Sequence, residues 1–324
     1  GNDTLRGGRG NDIYVINSQL DQIEENPGEG NDTVITNMGE YTLGADNIEN
    51  LEFFGDLTHR GFGSNQANRM VGGAFNDELD GAEGNDTLLG GLGNDTLRGG
   101  LGDDLLSDGQ GFNVLAGGVG NDTYVVTDKR VDRVMEFAAE GTDTVQTSLT
   151  NYILDAEVEN LVYTGTSALV GFSGVGNALD NEISGGVASD DLQGGDGNDT
   201  LIGGLGNDAL TGGAGFDAAS YATSTAGVTV SLLTGVSSGG AGADRLQSIE
   251  SLIGSAFNDA LTGDAGNNTL EGGAGNDTLV GGAGVDTVSY ASAQSGVSVT
   301  LGTQFTIAAL SVLAQQNTQG AGSD

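Results

Sequence analysis

A chain of 324 residues with 60 glycines, one proline, no cysteine and 36% hydrophobic residues is too poor in apolar side chains for one large core. It offers neither disulfides nor thiolate metal sites, and with 60 glycines but no G-X-Y triplet period it is not collagen-like. Nine basic against 46 acidic residues leave a net charge of −37, which argues against nucleic acid and anionic membrane surfaces as partners and makes cations the natural ones. The longest apolar run, Thr306 to Ala314, is too short to cross a bilayer, so no membrane insertion is expected.

Read in chain order, the sequence alternates between two textures. From Gly81, GAEGNDTLLGGLGNDTLRGGLGDDLL returns to Asp-x-Leu every nine residues, a period that belongs to neither a helix nor a plain strand. The unit is G-G-x-G-x-D-x-U-x, with U a large apolar residue. Residues 1–15 hold a partial block of such units, 16–62 irregular longer coils of a first type, and 63–125 a regular block. First-type coils return over 126–175, a regular block over 176–220, irregular coils of a second type over 221–253, a regular block over 254–289 and second-type coils over 290–324. The first-type stretches are themselves a repeat: NDIYVINSQLDQIEENPGEGNDTVITN from Asn11 matches NDTYVVTDKRVDRVMEFAAEGTDTVQTS from Asn121. Both lead on to related text, Asn47-Ile-Glu-Asn-Leu51 and Val158-Glu-Asn-Leu161. β-prone alternation at Val228–Leu232 and Val297–Leu301 predicts strands in the second type. The longer stretches are expected to be irregular coils of one continuous stack, because inserted domains of about 35 to 50 residues would be small for independent stability. Both ends fall inside a unit, so the chain is expected to be a slice of a longer protein.

The unit can be taken apart physically. A glycine-rich half accepts the positive φ of tight turns, and x-U-x is three residues of strand whose middle side chain points inward. Two units then close one flattened coil, and successive coils stack 18 residues apart. Leu88 and Leu106 are expected on one layer, with Leu79, Leu97 and Leu115 on the facing one. The same stacking brings Asp86 next to Asp104 and Asp77 next to Asp95. Carboxylates about 5 Å apart repel by roughly 3 kcal/mol at an effective dielectric of about 20. Turn carbonyls plus carboxylates form an all-oxygen donor set of adjustable size, which favours Ca²⁺ over Mg²⁺. A lone Gly-Asn-Asp triplet reads as a capped turn; a dozen in register reads as a cation ladder.

GGLGNDTLR, Gly90 to Arg98, fits the repeat at every defined position, and the sequence resembles the RTX (repeats-in-toxin) family of secreted proteins. The resemblance implies an all-β fold, an elongated parallel β-roll or β-helix solenoid, with several Ca²⁺ ions held by Asp carboxylates and turn carbonyls and with export by a type I apparatus. Carried over by position, the expected ligands are Asp12, Asp77, Asp86, Asp95, Asp104, Asp122, Asp190, Asp199, Asp208, Asp217, Asp259, Asp277 and Asp286. Asn113 and Asn268 stand where the sixth-position Asp should be, and Phe75, Ala188 and Phe257 replace the fourth-position Gly, so weak or missing sites are expected there.

Catalytic constellations are absent from this reading. Gly235-Val-Ser-Ser-Gly239 matches a nucleophile elbow by letter, but Ser237 is expected to be a loop serine and His59, the one histidine, a solvated surface residue. Tyr14, Tyr124, Tyr221 and Tyr290, at the exits of regular blocks, are expected to pack at coil transitions. The expected function is non-enzymatic: a calcium-dependent structural rod segment of a large secreted or cell-surface protein such as an adhesin, surface layer or filament, folding on Ca²⁺ after export. The alternative is an accessory secretion and folding region of a secreted protease or lipase. Calcium is the expected partner, with self-association end to end or laterally. A minor third reading takes Asn85, Asn94 and Asn121 with Thr87, Thr96 and Thr123 as a polar ice-binding face.

Overall fold

A computed structural model describes residues 1–44, 47–128 and 132–289, and among them there is no helix. The stretch Val297–Leu301 and Tyr290 lie outside the described residues. The chain divides into two compact units, Gly1–Thr166 with Phe172–Ser184, and Ser167–Gly171 with Gly185–Asp324, the latter described as far as Ser289.

Each unit is a parallel β-solenoid. In the first, the strand Thr87–Gly91 pairs in parallel with Arg69–Gly73 before it and Leu105–Ser107 after it, so that Leu88 sits between Met70 and Leu106. Across the coil, Thr96–Leu101 is flanked by Glu78–Glu83 and Val114–Val119, placing Leu97 between Leu79 and Leu115. The two expected leucine layers are therefore present. One column runs Leu51, Met70, Leu88, Leu106, Tyr124, Val145, Leu161 and Ile183, all fully buried. Each such side chain contributes about 1.5–3 kcal/mol relative to solvent exposure, and to these rows the long coils add a second inward residue, as at Ile16, Phe53, Val126 and Tyr163. In the facing column Gly61 stands between Leu79 and Tyr41, because Met70, Phe53 and Leu79 already fill the space a side chain would need.

The first-type stretches are coils of the stack, not inserted domains. Tyr14 pairs with Val34, Val34 with Leu51, and Leu51 with Met70; later Tyr124 pairs with Val145, Val145 with Leu161, and Leu161 with Ile183. Coil length thus varies while the inward register holds, because the surplus residues are accommodated in the bends. Tyr14, Tyr124 and Tyr221 are buried, as expected of coil transitions.

In the second unit Leu201, Ala219, Leu252, Leu270 and Val288 form one column. Its second-type stretch departs from pure parallel winding. Val228–Ser231 turns back on Val236–Gly239 in an antiparallel hairpin before pairing in parallel with Ala260–Thr262. The β-prone run was legible at Val228, but the hairpin partner, rich in Ser and Gly, was not.

Candidate metal centre

The sixth residue of each unit lies where the turn ends and the strand begins, so its backbone amide and its carboxylate both face the neighbouring coil. The result is a ladder. Asn68 N–H donates to Asp86 Oδ1 (2.7 Å), Asp86 N–H to Asp104 Oδ1 (2.7 Å), Asp104 N–H to Asp122 Oδ1 (2.7 Å) and Asp122 N–H to Asp143 Oδ1 (2.8 Å). On the opposite edge His59 N–H donates to Asp77, Asp77 N–H to Asp95, Asp95 N–H to Asn113 and Asn113 N–H to Asp132. The second unit repeats this from Asp190 to Asp208 and on to Asp244, from Asp199 to Asp217, from Asp259 to Asp277 and from Asn268 to Asp286. Asp12 opens the first row by donating its amide to Asp32 Oδ1 at 2.8 Å.

One oxygen of each carboxylate is thereby used, and the other raises the chemical question. Oδ2 of Asp12, Asp77, Asp86, Asp95, Asp104, Asp122 and Asp208 is buried without a hydrogen-bond partner. Leaving a charged oxygen so placed costs several kcal/mol unless the group is neutralised. Burial accordingly pushes Asp86 up to about 8, Asp122 and Asp208 to about 7, and Asp95 and Asp104 to about 6; the amide from the preceding coil offsets part of each rise. Neighbouring carboxylates add to it, Asp104 acting on Asp86 and Asp77 on Asp95. Among the described residues no cationic side chain reaches these oxygens: Arg6, Arg60 and Arg98 form ion pairs with exposed or half-buried glutamates instead.

The turns supply the remaining donors. At Gly100 and Gly102 the backbone is left-handed, φ +117° and +132°, and a side chain at either would overlap the carbonyl of Ala82 or Gly84 one coil earlier. At the first turn position, a methyl group on Gly99 would overlap Asp104 Oδ2 and lie close to Gly117 O. Unpartnered carboxylate oxygens therefore lie among backbone carbonyls, an all-oxygen environment that fits a hard divalent cation and no softer ligand chemistry.

The thirteen expected residues are not equivalent. Turns ending in Asp95, Asp104, Asp122, Asp199, Asp208, Asp217, Asp277 and Asp286 carry the left-handed pair at positions two and four, as does that of Asp86, where Ala82 takes the second position. Turns ending in Asp77, Asp190 and Asp259 do not, and in the last two Oδ2 already accepts an amide of its own turn, from Gly186 (2.6 Å) and Ser255 (2.6 Å). These are the turns with Phe75, Ala188 and Phe257 in place of glycine.

Two expectations are overturned. His59 is fully buried, not solvated: it occupies the rung before Asp77, with Nδ1 3.2 Å from Asp77 Oδ1 and its ring stacked on Phe53 at 4.6 Å. Ser237 is buried within a strand, not in a loop; its Oγ donates to Asp244 Oδ2 at 2.7 Å and accepts the Asp244 amide. Asp244 closes Gly239-Gly-Ala-Gly-Ala-Asp-Arg-Leu-Gln247, a complete repeat unit concealed in a stretch read as irregular. The Asn row expected to face outward is also engaged: Asn85 Oδ1 accepts the Asp103 amide (3.1 Å) and Asn94 Oδ1 the Phe112 amide (2.9 Å). Asn reaches forward one coil while Asp accepts from the coil before.

The ladder also has terminators that the residue pattern alone did not disclose. Glu49, Glu159 and Glu250 accept the amides of Asp32, Asp143 and Asp217 through Oε2. Each is followed one coil later by an asparagine, Asn68, Asn181 or Asn268, whose Nδ2 points back to the carbonyl of that glutamate. The recurring Ile-Glu-Asn and Val-Glu-Asn text was the visible trace of this arrangement.

The family profile of the RTX calcium-binding nonapeptide repeat matches residues 1–18, 62–97, 98–126, 176–218 and 253–288, half of the chain. This chain belongs to the RTX calcium-binding nonapeptide repeat family. It is therefore a calcium-binding repeat region. Among curated proteins, the endo-1,3-1,4-beta-glycanase ExsH of Rhizobium meliloti (strain 1021) is 44% identical over 73 residues, 22% of this chain. The chain spans about 15% of that protein's length.

Proposed function

We propose that this RTX chain is a structural rod segment of a large secreted or cell-surface protein, folded by calcium after export. The observation that carries the reading is the row of buried, unpartnered Oδ2 atoms set against turn carbonyls in successive coils. Asp86, Asp95, Asp104, Asp122 and Asp208 would hold the ions through Oδ2, with Asp12, Asp199, Asp217, Asp277 and Asp286 in turns of the same kind, whereas Asp77, its Oδ2 also unpartnered, sits in a turn without the left-handed pair. Bound Ca²⁺ supplies positive charge between coils that otherwise repel. Asp190 and Asp259, whose Oδ2 is engaged by the turn, make weaker sites.

The energetics suit a switch at the cell boundary. Modules of about 10⁻⁴–10⁻³ M affinity fill in extracellular calcium and stay empty in the cytosol. A site at ten times its dissociation constant contributes about 1.4 kcal/mol, so about ten sites supply roughly 14 kcal/mol, comparable with the whole stability of a domain. Circular dichroism and gel filtration test this: strand signal and compact elution in calcium, an expanded acidic coil in EDTA. Equal strand signal under both conditions would overturn it.

The similarity to a glycanase favours a second reading, in which the segment is the accessory export and folding region of a secreted enzyme. The flanking gene sequence separates the two. A catalytic domain upstream decides for the accessory role, and long continuation of the same repeats decides for the rod.

A further inference from the structure

Where regular units give way to first-type coils, the carboxylates gather differently. Asp122, Glu136 and Asp143 present oxygens that all lie within 4.8 Å of one another, and Asp12, Glu25 and Asp32 do the same. The two groups occupy matching positions in the two related stretches that begin at Asn11 and Asn121. Only Asp12 and Asp122 belong to nonapeptides; the glutamates come from the long coils.

The ladder pairs Asp12 with Asp32 and Asp122 with Asp143 but accounts for neither the glutamates nor the second oxygens of Asp12 and Asp122. Asp122 is 1% exposed, and with Oδ1 engaged by the Asp104 amide its buried Oδ2 has no partner. Both oxygens of Glu136 are likewise buried and unpartnered. They converge at Gly117, where a methyl group would overlap Asp122 Oδ2 and Tyr124 Oη, and the Gly117 amide is already donated to Tyr124 Oη at 2.6 Å. At the other group Glu25 Oε1 accepts from the Gly7 amide and from Tyr14 Oη, leaving Glu25 Oε2 and Asp12 Oδ2 buried and unpartnered. Three carboxylates with no cationic side chain among them in the described residues do not stay together without a counter-ion. Burial, then Asp143 and Asp122, push Glu136 up to about 8.

We propose that Asp122, Glu136 and Asp143, and equally Asp12, Glu25 and Asp32, form a second class of site for a hard divalent cation, calcium, distinct from the nonapeptide sites in having three carboxylate ligands. A nonapeptide site is made of stacked Asp and carbonyls, whereas each triad concentrates three formal charges, and calcium affinity rises with ligand charge count. These sites fill first as calcium rises and fix the long coil on the end of a regular block, so that folding starts at the junctions. The inference rests on the calcium-driven reading above only in the identity of the ion.

The test is a calcium titration of the full chain in a chelator-buffered series, with the double variant Glu25→Gln, Glu136→Gln beside wild type. Gln keeps the Oε1 acceptor that Glu25 uses, and far-UV circular dichroism at saturating calcium verifies that the variant folds. Wild type should bind two ions at least about tenfold more tightly than the rest, and the variant should lose those two while keeping the weaker phase. Superimposable isotherms overturn the triads, as does a wild type with a single affinity class. A wild type that binds the two tight ions, lost in the variant, but shows no weaker phase would instead defeat the nonapeptide reading and leave the triads standing.

Discussion

Replacing Asp104 by Asn isolates the charge from the geometry. Asn keeps an Oδ1 acceptor for the Asp86 amide, as Asn113 already does for the Asp95 amide at 2.8 Å, and removes only the unpartnered Oδ2. Burial raises Asp104 to about 6, roughly two units above an unfolded aspartate, so its ionised form destabilises the calcium-free fold at pH 7.5 by about 3 kcal/mol. Asp104→Asn should therefore stabilise the calcium-free chain by up to about 3 kcal/mol. Calcium must then erode this advantage, because wild type gains about 1.4 kcal/mol at ten times the dissociation constant and about 4 at a thousand times, and the variant does not. The two curves cross between about one hundred and one thousand times the dissociation constant, or near tenfold if the carboxylate bridges two ions. Urea unfolding followed by circular dichroism, in EDTA and across a calcium series with trimethylamine oxide to keep both proteins folded, measures the difference. An advantage that does not change with calcium would mean that Asp104 holds no ion. No advantage in EDTA would mean that the carboxylate row is not strained.

The remaining predictions follow from the same structure. In EDTA, the raised values of Asp86, Asp95, Asp104, Asp122 and Asp208 mean that the folded chain binds more protons than the unfolded one from about pH 4 up to 6–8; stability should peak near pH 4–5 and fall as pH rises through that range, as a pH series of urea midpoints would show. Calcium binding needs the ionised forms, so in a calcium titration the midpoint should move to higher calcium as pH falls from 8 to 5. Ala82 holds φ +78° where neighbouring coils place glycine, so Ala82→Gly should raise stability by about 0.5–1 kcal/mol in thermal unfolding. Leu97→Ala, in the middle of a fully buried column, should cost about 2–5 kcal/mol in saturating calcium by urea unfolding.

What was legible in the sequence was whatever repeats in one chemistry at a fixed count. The leucine layers and the Asp rows follow directly from stacking every 18 residues, and the Asn113 and Asn268 departures could be seen by letter. His59 was misread because a lone histidine carries no periodicity of its own, although counting 18 residues back from Asp77 lands on it. Asp244 was hidden because the Val228–Gly239 hairpin separates it from its block: it follows Asp208 by 36 residues, still in phase, but the stretch between Ser220 and Gly239 carries no repeat motif. The glutamate terminators and the triads escaped for a different reason. Glu49, Glu159 and Glu250 reach the ladder with a longer side chain from a coil of different length, and Glu25 and Glu136 are brought to Asp12 and Asp122 by bends whose course no local pattern specifies.

The most direct test of ions between the coils is anomalous scattering. Crystals grown in calcium and measured at long wavelength should give anomalous difference peaks beside the Oδ2 atoms of Asp86, Asp95, Asp104 and Asp208, ringed by turn carbonyls of the neighbouring coil. Density maps with those carboxylates ordered and no anomalous peak beside them would contradict the account.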